Sequence, residues 1–311
     1  LGEVTNLDYC FYKSIVGVEV LDKFEIGANA SLNYTFGECS NISELDGLVI
    51  PPSVKSSEGL FFKCPIQTIT NVKINTSGSC KEIFKDNKKL ATITNLTMPN
   101  ATNFESAFEN CILLDELPFK EISDRVVNIA KMYYNCSSPT NIDSFSFGTS
   151  IVDATDWINK DLISSANDVT IKNSSVNFEG FTNLTSCNNL LLTSNVKTMA
   201  NFFKSDSRLT SLSLNVSSDL SNVTSMAYML NGCIGISTTP ILEIPDSVAN
   251  IDYIYDGTSI TNLDNLVIGS GITSATNWNP TNLRTINNMV IKNNIVKFTG
   301  NTLIQSAENL T

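Results

Sequence analysis

The stretch Asn222–Pro240, NVTSMAYMLNGCIGISTTP, contains one full copy of a spacing that recurs along most of the 311-residue chain. With Leu230 as position 0, other apolar residues lie at −7, −4, +3 and +6, namely Val223, Met226, Cys233 and Ile236. The position-0 residues recur about every 24 residues, at Phe36, Phe61, Phe84, Phe108, Tyr133, Trp157, Leu184, Phe203, Leu230, Ile254 and Trp278. A period of this size predicts a solenoid whose coils pack only on their neighbours, with these residues as core anchors.

Each repeat divides into two segments of different periodicity. From −7 to 0, as in VTSMAYML (residues 223–230), apolar residues are three or four apart, as one or two helical turns require. From +6 onward, as in LTSLSLNV (residues 209–216), they are two or three apart, which favours a short extended segment. We therefore predict coils with short parallel strands on one face and short helical or irregular turns on the other.

The repeats define three parts of the chain. Residues 1–35 fit the pattern least, and alternation around Val16–Val20 predicts a strand, so we expect an N-terminal cap or the end of a preceding domain. The solenoid is predicted over residues 36–297, irregular at about 153–196, where we expect an insertion or an extra hairpin. Residues 298–311 are expected to begin a further coil or a C-terminal cap, with the chain continuing beyond.

A longer period is also visible in the sequence. Residues 168–181 resemble residues 288–300, and each stretch follows a coil that contains a tryptophan, Trp157 or Trp278. The two tryptophans are 278 − 157 = 121 residues apart, which predicts a superrepeat of about that length. In both copies we expect a strand, a polar turn and a second strand.

Composition excludes several classes of function. Apolar residues make up 42% and charged residues 16%, which is not the composition of a disordered polyelectrolyte. The net charge of −11 without a Lys/Arg cluster argues against nucleic acid or an anionic membrane as partner, and no apolar run is long enough for a membrane span. The sequence has no histidine, so Ser-His-Asp and Cys-His catalysis and most zinc sites are excluded. We predict a protein that is not an enzyme and has no cofactor.

Six of the eight cysteines share position +3: Cys39, Cys64, Cys111, Cys136, Cys187 and Cys233. Their spacing near 25 residues, with no histidine, does not suit a metal or redox site. We predict a ladder of small buried thiols inside the turns. Disulfides between adjacent coils, Cys39 with Cys64 or Cys111 with Cys136, remain the alternative, and free thiols are preferred.

Three further candidate sites have simpler structural interpretations. Calcium ligation was considered for Asp115, Glu116, Asp143, Asp153, Asp156, Asp252 and Asp256, but no calcium-loop motif is present and solvated turn carboxylates are favoured. Glycosylation is weakly supported by twelve Asn-x-Ser/Thr tripeptides, including those at Asn95, Asn100, Asn215 and Asn222. A carbohydrate-stacking patch would use Tyr133, Tyr134, Tyr253, Tyr255, Trp157 and Trp278, but most of these coincide with core anchors.

The pattern V-T-x-M-x-x-(aromatic or aliphatic)-x-x-C-x-x-L-x-x-L-x-L resembles the leucine-rich repeats of the BspA-like surface-antigen class. The nearest copies are SNVTSMAYMLNGCIGI (221–236), ATNFESAFENCILLDEL (101–117) and VVNIAKMYYNCSS (126–138), and the resemblance covers residues 36–297. It implies a right-handed leucine-rich-repeat solenoid of the α/β type. The sequence departs from the class at the cysteine position, where Asn87, Lys160, Asp206, Gly257 and Thr281 occur.

The resemblance also implies a function. Similar repeats occur in bacterial surface adhesins, in phage tail and baseplate proteins and in surface proteins of some protists. We therefore expect a recognition or adhesion module, displayed extracellularly on a cell or virion, that binds a protein receptor or a surface glycan through the solenoid face. The alternative is a structural virion component, such as a tail fibre, baseplate or capsid decoration protein, that assembles with copies of itself or with other virion proteins. The thiols favour folding in a reducing compartment before display.

Overall fold

The chain is a parallel β-solenoid of about 13 coils of roughly 24 residues, with almost no helix. The computed structural model describes residues 3–23, 25–114, 116–137 and 139–311. The predicted solenoid and its coil length are thereby confirmed. The chain divides into two compact units, which comprise residues 1–139 with 148–162, and residues 140–147 with 163–311.

The first unit contains eight short strands in its described residues. They are β1 (Val4–Asn6), β2 (Ile26–Ser31), β3 (Glu44–Asp46), β4 (Val49–Ile50), β5 (Val54–Ser56), β6 (Thr68–Thr70), β7 (Lys73–Ile74) and β8 (Thr92–Thr94). They form the sheets β1-β2-β5, β3-β6-β8 and β4-β7, and every pair is parallel. Residues one coil apart stand level, so Leu45 and Ile69 are neighbours and both are buried. Parallel pairing of successive coils thus places equivalent apolar residues in one continuous core.

The second unit repeats this arrangement in the residues described. Its strands are β9 (Ser146–Phe147), β10 (Thr170–Ile171), β11 (Ser186–Leu192), β12 (Ser211–Leu214), β13 (Glu243–Ile244), β14 (Asn262–Asp264), β15 (Val267–Ile268), β16 (Thr285–Asn287), β17 (Val290–Ile291) and β18 (Ser306–Glu308). They form the sheets β12-β11-β10-β9, β13-β15-β17 and β14-β16-β18. The hairpin expected near residues 153–196 is not formed by the described residues, because β10 pairs in parallel with both β9 and β11.

Between the strands, the chain follows a turn segment with an alternating pattern of backbone hydrogen bonds. In the coil of Phe36, the N–H groups of Tyr34, Phe36 and Glu38 donate to carbonyls of the next coil at 2.7, 3.0 and 2.6 Å. Thr35 and Gly37, which lie between them, donate to the carbonyl three residues earlier, at 3.3 and 3.0 Å. In an α-helix, all of these N–H groups would donate to carbonyls of the same segment. Here alternate donors hold successive coils together instead.

The helical turns expected from −7 to 0 are therefore absent from the described residues, which show the irregular-turn alternative. Two short 3-10 helices occur among the described residues, Val18–Lys23 and Lys160–Leu162. The first lies where a strand was predicted around Val16–Val20, and that prediction is wrong. No residue of the Val18–Lys23 helix is buried, so the alternation of apolar residues there does not mark a half-buried sheet.

A stack of aromatic rings runs through the core of the first unit. Phe11, Phe36, Phe61, Phe84, Phe108 and Tyr133 follow one another with ring centroids 5.4–5.9 Å apart. Their spacing matches offset stacking, which adds to the burial of each ring. Because Phe11 belongs to this stack, the repeating coil geometry already includes residues in the stretch 1–35.

The superrepeat has a structural counterpart in the second unit. Asn173 and Asn293 each accept a backbone N–H from two residues ahead, at 2.8 and 3.0 Å, directly after β10 and β17. Gly180 and Gly300 then adopt φ of +78° and +80°. These pairs are 293 − 173 = 120 and 300 − 180 = 120 residues apart, one residue less than the tryptophan spacing indicated. The second strand expected in each copy is not formed by the described residues.

Candidate binding surface

Seven anchors share one environment in the structure. Phe36, Phe61, Phe84, Phe108, Tyr133, Phe203 and Leu230 are fully buried, and each donates its backbone N–H to the next coil. The acceptor is the residue just before the next position 0, for example Met229 for Phe203. By the same rule Leu230 donates to Ile254, which places Tyr255, rather than Ile254, level with Leu230.

The remaining anchors also follow a shifted register. Phe178 donates to Phe202 and stacks on Phe203 at 5.4 Å, so Phe178 rather than Leu184 stands at position 0 of its coil. Tyr133 donates to the carbonyl of Trp157, which puts Ile158 at position 0. Trp157 and Trp278 are 3% and 0% exposed, and the indole of Trp278 donates to Lys297 at 2.9 Å. All of these residues are part of the core.

Five thiols make one repeated contact with the preceding coil. Each donates to the carbonyl of that coil's position-0 residue: Cys39 to Phe11 (3.0 Å), Cys64 to Phe36 (3.0 Å), Cys111 to Phe84 (3.2 Å), Cys136 to Phe108 (3.2 Å) and Cys233 to Phe203 (2.9 Å). All eight cysteines are free, and Cys10 alone is exposed. Burial raises the pKa of Cys64, Cys136 and Cys233 to about 12. Such thiols are poor nucleophiles near neutral pH.

Cys187 and Asn87 depart from the thiol ladder in opposite ways. Cys187 is buried in β11 level with Leu212, so it belongs to a strand rather than to a turn. Asn87 occupies the thiol position of its coil and donates Nδ2 to the carbonyl of Phe61 at 2.8 Å. Its Oδ1 is buried without a hydrogen-bond partner. At this position a thiol or an amide nitrogen donates to the preceding coil, whereas Asp206 accepts the backbone N–H of Phe181 at 2.8 Å.

The candidate calcium ligands and glycosylation asparagines have the following surroundings in the described residues. There, no three His, Cys, Asp or Glu side chains are grouped so that they could hold a metal ion, and Asp115 lies outside the described residues. The asparagine side chains of four tripeptides donate Nδ2 to a neighbouring coil: Asn95 to Asn71 (2.9 Å), Asn100 to Asn75 (3.4 Å), Asn215 to Asn189 (2.6 Å) and Asn222 to Ser194 (3.0 Å). These amides hold coils together.

A cluster of surface aromatic side chains lies on the turn segments of the first three coils. Tyr9 and Tyr34 stack with centroids 5.1 Å apart and ring planes 6° apart. Tyr12 meets Tyr9 edge-on at 5.5 Å, and Phe62 meets Tyr34 edge-on at 5.7 Å. Tyr9 is 56% exposed, and the other three are partly exposed. We call these four residues the aromatic surface.

Two glycines give the tyrosine rings room to lie against the neighbouring coil. A Cβ on Gly59 would stand 2.3 Å from Cε1 of Tyr34, and a Cβ on Gly37 would stand 2.8 Å from Cδ2 of Tyr12. Real Cβ atoms do not approach so closely, so each ring occupies the space that a side chain at the glycine would need. The orientation of both rings is therefore fixed by the backbone beneath them.

Two carboxylates fix the far ends of the same rings. The hydroxyl of Tyr12 donates to Glu38 at 2.5 Å, and that of Tyr34 donates to Glu82 at 2.6 Å. The bond to Glu38, with burial, raises the pKa of Tyr12 to about 12 and lowers the pKa of Glu38. Burial alone would raise the pKa of Glu82, but the hydrogen bond from Tyr34 and the charge of Lys85 outweigh it and lower that pKa. Both phenols are neutral donors near neutral pH.

Tyr9 and Tyr34 share a backbone conformation that recurs at position −2 of other coils. Tyr9 and Tyr34 adopt φ of +55° and +51°, a left-handed conformation that bulky side chains rarely adopt. Glycine holds it without strain, and asparagine tolerates it better than other residues. The fold needs this conformation at position −2, but it does not need tyrosine there. Glu82, Ser106 and Lys131 adopt the same conformation at this position of their coils.

The second unit carries a smaller version of the same arrangement. Tyr228 and Tyr253, with φ of +57° and +55°, stack at 4.9 Å with ring planes 11° apart. Lys204 lies 5.6 Å from the centroid of Tyr228, which is 37% exposed. Four of the chain's eight tyrosines thus occupy left-handed positions in two stacked pairs. We call Tyr228 and Tyr253 the second tyrosine pair.

Most of this surface is not predictable from the repeat pattern. Of its six candidate aromatic residues, Tyr133, Tyr255, Trp157 and Trp278 are buried, whereas Tyr134 and Tyr253 reach the surface. Tyr9, Tyr12 and Tyr34 lie in the stretch set aside as a cap. The available signal was the 25-residue spacing of Tyr9 and Tyr34, which equals that of Phe11 and Phe36.

No protein-family model, curated protein or solved structure matches the chain. Within the described residues, no helix combines the length and the apolar character needed to cross a membrane.

Proposed function

We propose that the chain is a non-enzymatic recognition module of an externally displayed protein and that it binds its partner, a surface glycan or a protein receptor, through the aromatic surface. The observation that carries the proposal is the exposed and ordered stack of Tyr9 and Tyr34. The backbone conformation costs about 1 kcal/mol for a residue with a Cβ, and glycine would avoid the cost. Aromatic side chains at recognition surfaces supply large contact area with few rotatable bonds.

The proposed class follows from the sequence resemblance to BspA-like leucine-rich repeats and from the aromatic surface together. Seven free, buried thiols support folding in a reducing compartment before display. Each of the five thiols that bond to the preceding coil already fills a place in the backbone hydrogen-bonding scheme, so a disulfide would disrupt two such contacts. In the alternative, a virion structural component, the chain would assemble with copies of itself instead of binding a partner through the aromatic surface.

The test is binding of the fluorescently labelled chain to intact epithelial and bacterial cells, measured by flow cytometry. Tyr9→Asn with Tyr34→Asn removes both rings and the hydrogen bond from Tyr34 to Glu82, but asparagine suits the left-handed backbone, which offsets that loss, so the variant is expected to fold. We expect saturable binding to at least one cell type and a loss of about tenfold or more in the double variant. Tyr134→Ser, which removes an exposed tyrosine outside the aromatic surface, is the matched control.

Two outcomes contradict the proposal. In the first, the double variant binds as well as the wild type. In the second, no cell binds and sedimentation shows concentration-dependent assembly, which favours the virion structural component.

A further inference from the structure

We infer that the ligand of the aromatic surface is a neutral polysaccharide, held by stacking of a pyranose ring on the exposed ring of Tyr9, which Tyr34 supports from its other side. This inference rests on the proposed function and narrows its partner to one chemical class. Three features support it: the fixed orientation of the rings, the pairing of the charges around them and the shallow depression beside them.

The rings are preorganised for a flat ligand. A pyranose presents C–H groups on one face and hydroxyls around its rim, so it needs an apolar plane bordered by hydrogen-bonding groups. Tyr9 and Tyr34 provide nearly parallel rings, 6° apart, with Tyr9 more than half exposed. Gly59 and Glu82 hold Tyr34 from two sides. Binding to a surface that is already ordered loses less conformational entropy, which raises affinity.

The charges at the border are arranged in pairs. Lys13 pairs with Glu38 at 3.6 Å, and Lys85 pairs with Glu82 at 3.2 Å and with Glu109 at 3.0 Å. Sulfate, phosphate or uronate groups are recognised by clustered cations, often arginine in bidentate contact, and these lysines already face carboxylates. These paired lysines therefore offer little to an anionic ligand at the rings, whereas Lys88 and Lys89 line the adjoining depression. Carboxylates have several lone pairs and can accept sugar hydroxyls beside the bonds they already make.

A shallow depression of mixed polar and apolar lining adjoins the aromatic surface at Glu38 and Lys63. It has a volume of about 480 Å³ and is also lined by Ser40, Asp86, Lys88 and Lys89. Carboxylates and ammonium groups face it together, so it supplies both acceptors and donors. Hydroxyl groups act as donor and acceptor at once and fit such a lining. The depression is suited to a second sugar residue next to the one stacked on the rings.

The experiment is affinity electrophoresis of the full chain in native gels containing a single soluble polysaccharide. The neutral set is β-glucan, galactomannan and dextran, and the anionic set is alginate and heparin. We expect retardation by at least one neutral polysaccharide, unchanged between low and high salt, because no ion pairs form with the ligand. The double variant Tyr9→Asn with Tyr34→Asn should lose at least about tenfold in affinity, whereas Tyr134→Ser should not change it.

The other outcomes overturn the inference and separate it from the proposed function. Retardation only by alginate or heparin, abolished by salt, shows an anionic ligand. No retardation in any neutral gel, with tyrosine-dependent binding to cells, leaves the recognition module intact and points to a protein receptor. Neutral retardation that persists in the double variant places the glycan elsewhere on the chain.

Discussion

The ring of Tyr34 lies over Gly59 of the next coil, in space that a Cβ on Gly59 would enter to within 2.3 Å of ring atom Cε1. The glycine is therefore part of the aromatic surface although it contributes no side chain. Its φ of +55° is shared by residues with side chains at the same position of other coils, such as Glu82 and Ser106. Steric room for the ring, rather than the backbone conformation alone, makes glycine the suitable residue there.

Gly59→Ala tests this relationship against a matched control. Gly47 also has a positive φ, +66°, but no atom lies within 4 Å of a Cβ placed on it. Both substitutions should destabilise the chain by about 1 kcal/mol through the left-handed backbone. Only Gly59→Ala should also displace Tyr34, with a further loss of stability and weaker polysaccharide retardation. Urea unfolding and affinity electrophoresis measure the two effects, and equal behaviour of the two variants would contradict the steric account.

Tyr255→Phe should stabilise the chain. The hydroxyl of Tyr255 is buried without a hydrogen-bond partner, and removal of such a group recovers about 1 kcal/mol. Tyr12→Phe is the opposite case, because its hydroxyl donates to Glu38 at 2.5 Å, and it should destabilise by a similar amount. Thermal unfolding measures the stability of both variants. A change of the same sign in both would contradict the prediction.

Asn87→Cys should also raise the free energy of unfolding, by about 1 kcal/mol. The thiol would keep a donor for the carbonyl of Phe61, and the substitution would remove the buried Oδ1 that has no partner. The reverse change, Cys111→Asn, would introduce such an oxygen and should lower stability. Denaturant midpoints in the presence of reductant provide the comparison. A destabilised Asn87→Cys variant would show that the amide is better suited to its coil than a thiol.

Thiol reactivity should distinguish one cysteine from the other seven. Cys10 is exposed, and the other seven are buried. In native protein, we expect one thiol to react rapidly with a disulfide reagent and eight to react after denaturation. Cys10→Ser should abolish the fast reaction. More than one fast thiol in the native wild type would mean that the turns open readily.

Stability should fall at alkaline pH. The pKa of Cys64, Cys136 and Cys233 is about 12 in the folded chain and 9 for an unburied thiol. Because the folded pKa is raised, stability is fully present below pH 9 and is lost as pH rises towards 12. The slope of the unfolding free energy against pH reports the number of protons released on unfolding. Cys136→Ala should lower that number by about one, since one titrating group is removed. Urea titrations at pH 8 to 11 measure the slope, and an unchanged slope in the variant would contradict the assignment.

The repeat itself was predictable because its residues are large and regularly spaced. Phe36, Phe61, Phe84 and Phe108 are all buried and stacked, as their recurrence indicated. The helical turns were not formed, because apolar residues three apart fit a series of tight turns as well as they fit a helix. The helix and the series of tight turns differ in the acceptors of alternate backbone N–H groups, which lie within the segment in a helix and in the next coil here. The spacing of side chains carries no information about these acceptors.

Register and surface were harder to infer for different reasons. Ile254 and Tyr255 are both apolar enough for position 0, so spacing alone did not decide between them. Tyr9 and Tyr34 repeat with the correct period, but their exposure depends on the left-handed backbone at position −2. That conformation is usually indicated by glycine or asparagine, and tyrosine gives no sign of it.

In the turn segments, backbone hydrogen bonds hold the coils together, and the side chains that face solvent take no part in these bonds. At position −2, the backbone N–H bonds to the next coil whichever side chain is attached. In the first unit this position is held by Tyr9, Tyr34, Gly59, Glu82, Ser106 and Lys131. Single substitutions can therefore rewrite the outer surface one coil at a time while the scaffold stays the same. Such a chain is well suited to rapid diversification of its binding specificity, and to engineering by exchange of surface residues alone.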